Sequence, residues 1–437
     1  MTRRFATAVA VVAGMLFADR ASAQDSSPTL VDQMRELFLQ SVVLSTTPGG
    51  VGIVAHTPVF LSDPRVVAAT SLIDQISQNI GTQVSTFPLG TVSGGFTYAY
   101  DSALGTFNRT TQTFGPAFGE RAATLGKGKY SFGMNYLHTR YVSLDGFDLD
   151  DGSIRINLRH QALTPPSFVE GDVIQAGLEM DLRSDRALFL LTYGATDHLD
   201  IAVGVPFVRV AMDLTYHATI LDFATHVAAP TVHVFSDGTK TRDFSSSGSA
   251  SGLGDTIVRS KYIFSNRSNG GYGVGLDLRL PTGDEENMLG AGAVQTRIFF
   301  IGSGGSGNAA AHVNVGYTAA GDPAFNQVDY VAGVEFAATP RVTVVGDVLG
   351  RQLRDAFRLR STSTSFQFQQ GPTAPTETTA VDTVALLPGN VNQILGTGGV
   401  KFNPWGNLLV SAHVLFPLNK QGLRSSITPV IGFEYYF

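Results

Sequence analysis

The sequence predicts an all-β protein: a transmembrane antiparallel up-and-down β-barrel, twelve strands favoured and fourteen the other even count, with a short N-terminal helical segment. Three observations predict it. The chain ends in an alternating aromatic strand, two-residue alternation recurs from Lys129 onward, and short turns alternate with long polar connections. Residues i, i+2 and i+4 of a strand share one face, and a tilted strand needs about ten residues to cross hydrocarbon.

The C-terminal strand carries the most information. Phe437, Tyr435, Phe433, Ile431 and Ile427 share one face; Tyr436, Glu434, Gly432, Val430 and Thr428 share the other. In water such an edge invites aggregation. A strand that closes a barrel in lipid has no free edge and needs an oily outer face. The ending resembles the C-terminal signal of bacterial outer-membrane barrels. That resemblance marks Phe433, Tyr435 and Phe437 as the expected contact for the barrel-assembly machinery.

The N-terminus points to the same compartment. Arg3 and Arg4 precede an apolar run from Phe5 to Ala18, too short for a comfortable membrane span, and Ala21-Ser22-Ala23 is a small-x-small cleavage site. Residues 1–23 read as a secretory signal peptide, with cleavage expected after Ala23. The destination is the outer membrane of a bacterial cell, with outer-membrane lipid and lipopolysaccharide as neighbours. The chain has no Cys, which excludes disulfides and thiolate metal sites. No cofactor is expected. A net charge of −6 gives no reason to expect nucleic acid as a partner.

Residues 24–91 differ from the rest. Ser27-Pro28 reads as an N-cap followed by proline at the first helical position, and Leu30, Met34, Leu37, Phe38 and Val42 follow near helical spacing. Asp63-Pro64 repeats the device, and Val66, Ala69, Ile73, Ile76 and Ile80 make one apolar helix face. This segment reads as a plug at the barrel mouth or a periplasmic subdomain. Residues 92–128 are a Gly- and aromatic-rich lead-in with one possible extra strand at 94–101, and 129–437 form the barrel.

Alternation is clear in Tyr272–Pro281, where Tyr272, Val274, Leu276, Leu278 and Leu280 oppose Gly273, Gly275, Asp277 and Arg279. It recurs in 328–336, 311–318 and 408–418, with similar patterns at 129–141, 173–195, 198–214, 254–264, 294–302, 341–351 and 393–403. Short turns at 196–198, 265–270, 304–307, 339–341 and 404–406 fall on the periplasmic side; the long polar connections 221–252, 282–293 and 354–390 fall outside. Twelve strands result if 172–195 is one long strand and 94–101 lies outside the wall. Fourteen result if 183–186 is a turn and 94–101 joins the wall. Near Pro206 the apolar parity flips, from Val203 and Val205 to Val208, Val210 and Met212. A β-bulge there is the expected cause.

Charges belong on the inner face, because Arg or Lys facing midplane lipid costs about 2–4 kcal/mol. The lumen-lining candidates are Glu179, Asp181, Arg183, Arg259, Lys261, Asp277, Arg279, His312, Glu335, Asp347, Arg351, Lys401, His413 and Glu434, with Asp200, Arg209, Asp213, Asp255 and Asp329 on the same inferred face. Mixed signs imply transverse ion pairs that stiffen the wall and narrow the pore, rather than a strongly ion-selective ring. Catalysis finds little support: no Gly-x-Ser-x-Gly elbow or His-Glu-x-x-His motif is present, and no His has a compelling Ser partner. The acidic clusters Asp148, Asp150, Asp151 and Asp284-Glu285-Glu286 read as solvated loops.

Several segments go beyond barrel grammar. They are Gly94-Gly95-Phe96-Thr97-Tyr98, Ala103-Leu104-Gly105-Thr106-Phe107, Phe114-Gly115-Pro116-Ala117-Phe118, Glu120-Arg121-Ala122, Gly126-Lys127-Gly128-Lys129, Tyr193-Gly194-Ala195-Thr196-Asp197 and Leu280-Pro281-Thr282-Gly283-Asp284. Together they resemble the outer-membrane family named for the meta-pathway of phenol degradation, itself analogous to long-chain fatty-acid transporters. The resemblance covers roughly 90–437 and implies uptake of small hydrophobic or aromatic solutes, without assigning binding residues. Two other functions stay open: a structural or surface-interaction barrel without transport and, with the weakest support, an outer-membrane lipid hydrolase.

Overall fold

The computed structural model describes residues 28–39, 44–45, 56–57, 64–86, 95, 98–101, 106–109, 112–159, 161–162, 172–223, 234–235, 237–267, 270–370 and 373–437. The expected signal peptide and the capping residues Ser27 and Asp63 lie outside these ranges. Helix α1 spans Leu30–Leu39 and α2 spans Pro64–Ser85. The first helix is capped two residues later than the Ser-Pro pair suggests. Thr29 Oγ1 accepts from Asp32 N at 3.1 Å and Asp32 accepts back from Thr29 N at 3.3 Å, a reciprocal capping pair.

Twelve antiparallel strands close a ring. They are β1 (Tyr130–Leu144), β2 (Asp172–Gly194), β3 (Leu199–Asp222), β4 (Thr256–Arg267), β5 (Gly270–Leu280), β6 (Gln295–Ser306), β7 (Ala309–Ala320), β8 (Gln327–Thr339), β9 (Val342–Gln369), β10 (Thr376–Phe402), β11 (Leu408–Pro417) and β12 (Thr428–Tyr436). The seam is β12 on β1, from Val430 opposite Leu137 to Tyr436 opposite Ser131. Closure satisfies the ladder on both sides of every wall strand, as hydrocarbon requires. Asp172–Gly194 is a single strand, and among the described residues Tyr98–Asp101 pairs only with Thr106–Arg109, outside the wall, so the count is twelve.

The outer face carries the oily belt. Ile298, Val334 and Ile431 are 60–63% exposed, while Asn314, Glu335 and Thr428 on inward faces are buried. Near the rim with the short turns and Phe437, which barrel grammar makes periplasmic, the aromatics form contacts: Tyr130 stacks on Tyr193 at 4.7 Å, and Tyr262, Phe264 and Tyr272 follow one another within 6.0 Å. Tyr435 and Phe437 meet edge-on at 5.0 Å. Interfacial aromatic girdles sit at this depth.

The wall is uneven in height. β2, β3, β9 and β10 run 23, 24, 28 and 27 residues, but β11 and β12 only 10 and 9. About ten residues suffice to cross, so the long strands rise well beyond the outer rim. Much of the polar sequence at 221–252 and 354–390 is therefore strand, not loop. Thr241–Leu253 pairs with upper β3, and β9 and β10 stay paired out to Gln369 opposite Thr376. These stretches are Ser- and Thr-rich on both faces, so no apolar alternation betrays them.

The parity change at Pro206 is not a bulge. β3 and β2 pair in unbroken register from Asp200 opposite Gly194 to Asp222 opposite Asp172. Ile201 and Phe207 face lipid, and Val208, Val210 and Met212 on the other face pack inward. Above Phe207 the surroundings exchange: water lies outside and the N-terminal helices lie inside. Leu30, Met34, Leu37, Ile76 and Ile80 form one core with Leu178, Met180, Leu182, Val210, Met212, Leu214 and Tyr216.

Candidate functional site

The lumen is stopped at two levels, and the chamber between them is the candidate site. The lower stop is residues 112–125, the irregular Gly-rich stretch that includes Phe114-Gly115-Pro116-Ala117-Phe118 and Glu120-Arg121-Ala122. It crosses the barrel interior, buried almost throughout. An irregular backbone at membrane depth must find partners in the protein, and the wall provides them. Phe114 N donates to Thr343 Oγ1 (3.1 Å) and Gly115 N to Glu335 Oε2 (3.0 Å). Ala117 N and Phe118 N both donate to Asp347 Oδ2, at 3.1 and 3.0 Å. Glu120 N donates to Asn314 Oδ1, Ala122 N to Ser303 Oγ, and Leu125 N to the Asp200 carboxylate.

Charge pairs reinforce this stop. Glu120 binds Arg259 at 2.7 Å and Lys261 at 3.4 Å, and Lys261 reaches Asp200 at 3.4 Å. Arg259 also binds Asp277, which Arg297 joins to Asp329. Arg121 meets Glu335 at 3.1 Å. These groups are nearly all buried, so each charge depends on its partner for stability. The exit turn Gly126-Lys127-Gly128 lies against the wall: Gly128 N donates to Gly194 O at 2.8 Å, and a Cβ on Gly194 would stand 2.0 Å from Gly126 O. Only glycine admits that approach.

The upper stop is the end of α2. Arg186 donates to Val84 O, Arg279 to Ser85 O at 3.0 Å, and Arg351 to Thr86 O at 3.0 Å and Thr86 Oγ1 at 2.8 Å. Cations suit a helix C-terminus, whose free carbonyls carry partial negative charge. Gln83 accepts from Gln393 Nε2 and Leu423 N, both at 2.7 Å. The start of α1 is held by the loop after β5. Thr282 and Gly283 bond Gly254, Asp255 and Thr256, Asp284 accepts from Glu286 N and Asn287 N, and Asn287 Oδ1 accepts from Leu30 N. The Pro281-Thr282-Gly283-Asp284 motif thus anchors the plug.

Between the stops lies a cavity of about 140 Å³, walled by Phe118, Tyr141, Leu349, Leu395 and Leu423, by Arg279, Arg351 and Arg424, and by the paired charges Arg259, Arg297, Glu120, Asp277 and Asp329. This is small beside the ~300–1,000 Å³ of drug-sized pockets.

Of the residues expected to line the lumen, Arg259, Lys261, Asp277, Arg279, His312, Glu335, Asp347, Arg351, Lys401, His413 and Glu434 face inward. His312 sits between Asp347 (3.2 Å) and Glu335 (3.6 Å), and Glu434 accepts from Gly95 N and Tyr436 Oη. Glu179, Asp181 and Arg183 do not line the lumen; nor do Arg209 and Asp213. They stand on the outward face of the tall β2–β3 wall, above the oily belt. There Arg140 binds Asp181, Arg183 binds Asp181 and Asp213, and His217 binds Glu179 and Asp243. Water outside that part of the wall makes the outward face the favourable one for charge. The sequence reading missed Glu120, Arg121, Arg186 and Arg297. The charged pair Glu120-Arg121 inside a run of small and apolar residues was the available signal for the first two. Among the described residues no cluster of metal-ligating side chains is present.

A closed ring with an oily outer belt and an ion-paired interior occupied by its own N-terminal segments defines a transmembrane β-barrel of the outer-membrane type. Residues 187–374 match the family model described as "Putative MetA-pathway of phenol degradation", a stretch that runs from β2 to the outer tip of the β9–β10 hairpin. Over that stretch, which holds the segments at 193–197 and 280–284, the match agrees with the family resemblance read from the sequence. No curated protein matches. Similar solved structures include an outer membrane channel from Pseudomonas putida F1 (11% identity, 72% of this chain and 98% of that one, TM-score 0.42). Others are a Pseudomonas aeruginosa FadL homologue (10%, 79% and 96%, 0.33) and the Ralstonia pickettii toluene transporter TbuX (11%, 71% and 90%, 0.28).

Proposed function

We propose that the protein is an outer-membrane channel for uptake of small, largely hydrophobic or aromatic solutes, in a closed state with both internal stops in place. One observation carries the reading. The interior of the ring is occupied by the chain's own N-terminal region, held by hydrogen bonds and ion pairs at the lower stop and by an apolar core with added polar contacts at the upper one. A twelve-strand ring is wider than the eight-strand barrels whose interiors wall side chains fill, so its bore needs a separate occupant to close it. Residues 1–23 act as the export signal in this reading, and Phe433, Tyr435 and Phe437 present the assembly signal from the outer face of β12, where they are exposed. Lipopolysaccharide would meet the charged outer wall above the belt.

The test is planar-bilayer conductance and solute flux of the mature chain beside a variant that lacks residues 24–91 and carries Glu120→Gln, which removes the upper stop and unpairs the lower one. Channel function predicts low conductance for the mature chain and higher conductance once both stops are released. No flux from either form, with heat-modifiable migration showing folded barrels, would establish the structural barrel instead.

A further inference from the structure

The arginines of the chamber fall into two groups. In the lower group, Arg259 and Arg297 are matched by carboxylates. In the upper group none of Arg186, Arg279, Arg351 and Arg424 has a carboxylate within ion-pair distance among the described residues. Three of them hold backbone carbonyls of α2 instead. Arg351 also donates to Gln393 Oε1, and Arg424 Nε is buried without a hydrogen-bond partner. Arg279 and Arg186 both repel Arg351 electrostatically. Like charges gathered at a buried site are unfavourable unless something negative completes it. Asp255 acts on Arg279 and Arg186, Asp277 on Arg279 and Asp329 on Arg351, all from beyond ion-pair distance, and the α2 carbonyls add only about half a charge.

Arg279, Arg351 and Arg424 line the cavity together with Tyr141, Leu349, Leu395 and Leu423. A cationic edge on an apolar wall recognises a molecule with an anionic head and an oily body. The volume admits one ring-sized molecule and excludes a long acyl chain. Guanidinium forks favour the planar, two-oxygen geometry of a carboxylate.

We infer that the upper chamber is a binding site for a small hydrophobic carboxylate, its head on Arg279, Arg351 and Arg424 and its body against Tyr141, Leu349 and Leu423. The α2 carbonyls stand in for that head in the closed state. This inference rests on the channel reading and narrows it to a solute class.

The test uses the full mature protein in detergent, with benzoate as the probe and benzamide as its uncharged counterpart, followed by calorimetric titration. Benzoate is expected to bind at least ~10-fold tighter than benzamide. Arg351→Gln should bring the ratio close to one, and Arg351→Lys should retain part of the preference. Heat-modifiable migration checks that each variant is folded. Should Arg351→Gln not fold, Arg424→Gln, which bears no helix contact, takes its place with the same expected loss. Equal binding of the two probes by the native protein, or a ratio unchanged in the glutamine variant, overturns the inference. Benzoate selectivity in detergent without conductance after release of both stops would sink the channel and leave the site. Conductance without benzoate selectivity would do the reverse.

Discussion

The lower and upper halves of the β2–β3 wall share one register and opposite chemistry. From Leu199 to Phe207 the outward side chains are Ile201, Val203, Val205 and Phe207, and the inward ones include Asp200, which accepts from the lower stop. From Val208 to Ile220 the outward set is Arg209, Asp213 and His217, and the inward set is Val208, Val210, Met212, Leu214 and Tyr216. Nothing in the backbone changes between them. What changes is the medium on each side, lipid giving way to water outside and polar lumen giving way to helices inside. A strand's alternation thus reports only that its two faces differ, and the neighbours decide which face is oily.

The deepest break in that comparison is Glu120→Gln. It strips the shared carboxylate from Arg259 and Lys261, both buried at the lower level. Removing one partner of a buried pair costs about 3–5 kcal/mol. Denaturant unfolding of the reconstituted barrel should shift by that amount, and conductance of the form lacking 24–91 should rise further as the lower stop loosens. An unchanged midpoint would mean that these pairs do not hold the segment.

Two substitutions on one face of β3 sharpen the contrast further. Val203→Arg, midway along the lipid-facing run from Leu199 to Phe207, places a cation in the oily belt and should cost about 2–4 kcal/mol in lipid. Thr215→Arg, on the same face but opposite Glu179, should stay within about 0.5 kcal/mol. Equal effects would place the water boundary elsewhere on the strand.

The smallest effect concerns His217, above the belt. Its hydrogen bond to Asp243 chiefly, and to Glu179 less, raises its pKa above the ordinary value against some desolvation. The folded value is the raised one, so the stabilisation is complete below the unfolded value of about 6.5. It fades as pH climbs through the folded value. Amide protection factors at Thr215–Thr219, where β3 meets Thr241–Ser245, taken relative to the intrinsic base-catalysed rate at each pH, should therefore fall from mildly acidic to alkaline pH. His217→Gln should flatten that dependence.

Much of the architecture was legible because lipid enforces a strict alternation. The wall strands at 272–281, 311–318, 328–336 and 408–418 declare themselves by period alone, and the short turns give the sidedness. The helices at Leu30–Leu39 and Pro64–Ser85 were readable from apolar spacing. Most of the inward charges followed from the cost of placing them in hydrocarbon. Glu179, Asp181 and Arg183 broke that rule because they lie above the hydrocarbon, and no local signal marks where a strand leaves the membrane. The lower stop was hidden for a different reason. Residues 112–125 have no period, since an irregular backbone held by Asp347, Glu335 and Asn314 needs no pattern of its own.

By itself, the order of residues determined a lipid-facing β-barrel, its strand count within two choices and the helical character of its N-terminal segment, because period and turn chemistry are local properties. Tertiary structure alone decided that the upper wall turns its oily face inward, that 112–125 threads the lumen, and that Arg186, Arg279 and Arg351 converge on one helix end. Those outcomes depend on which distant groups share a medium and a contact, and spacing along the chain does not encode that.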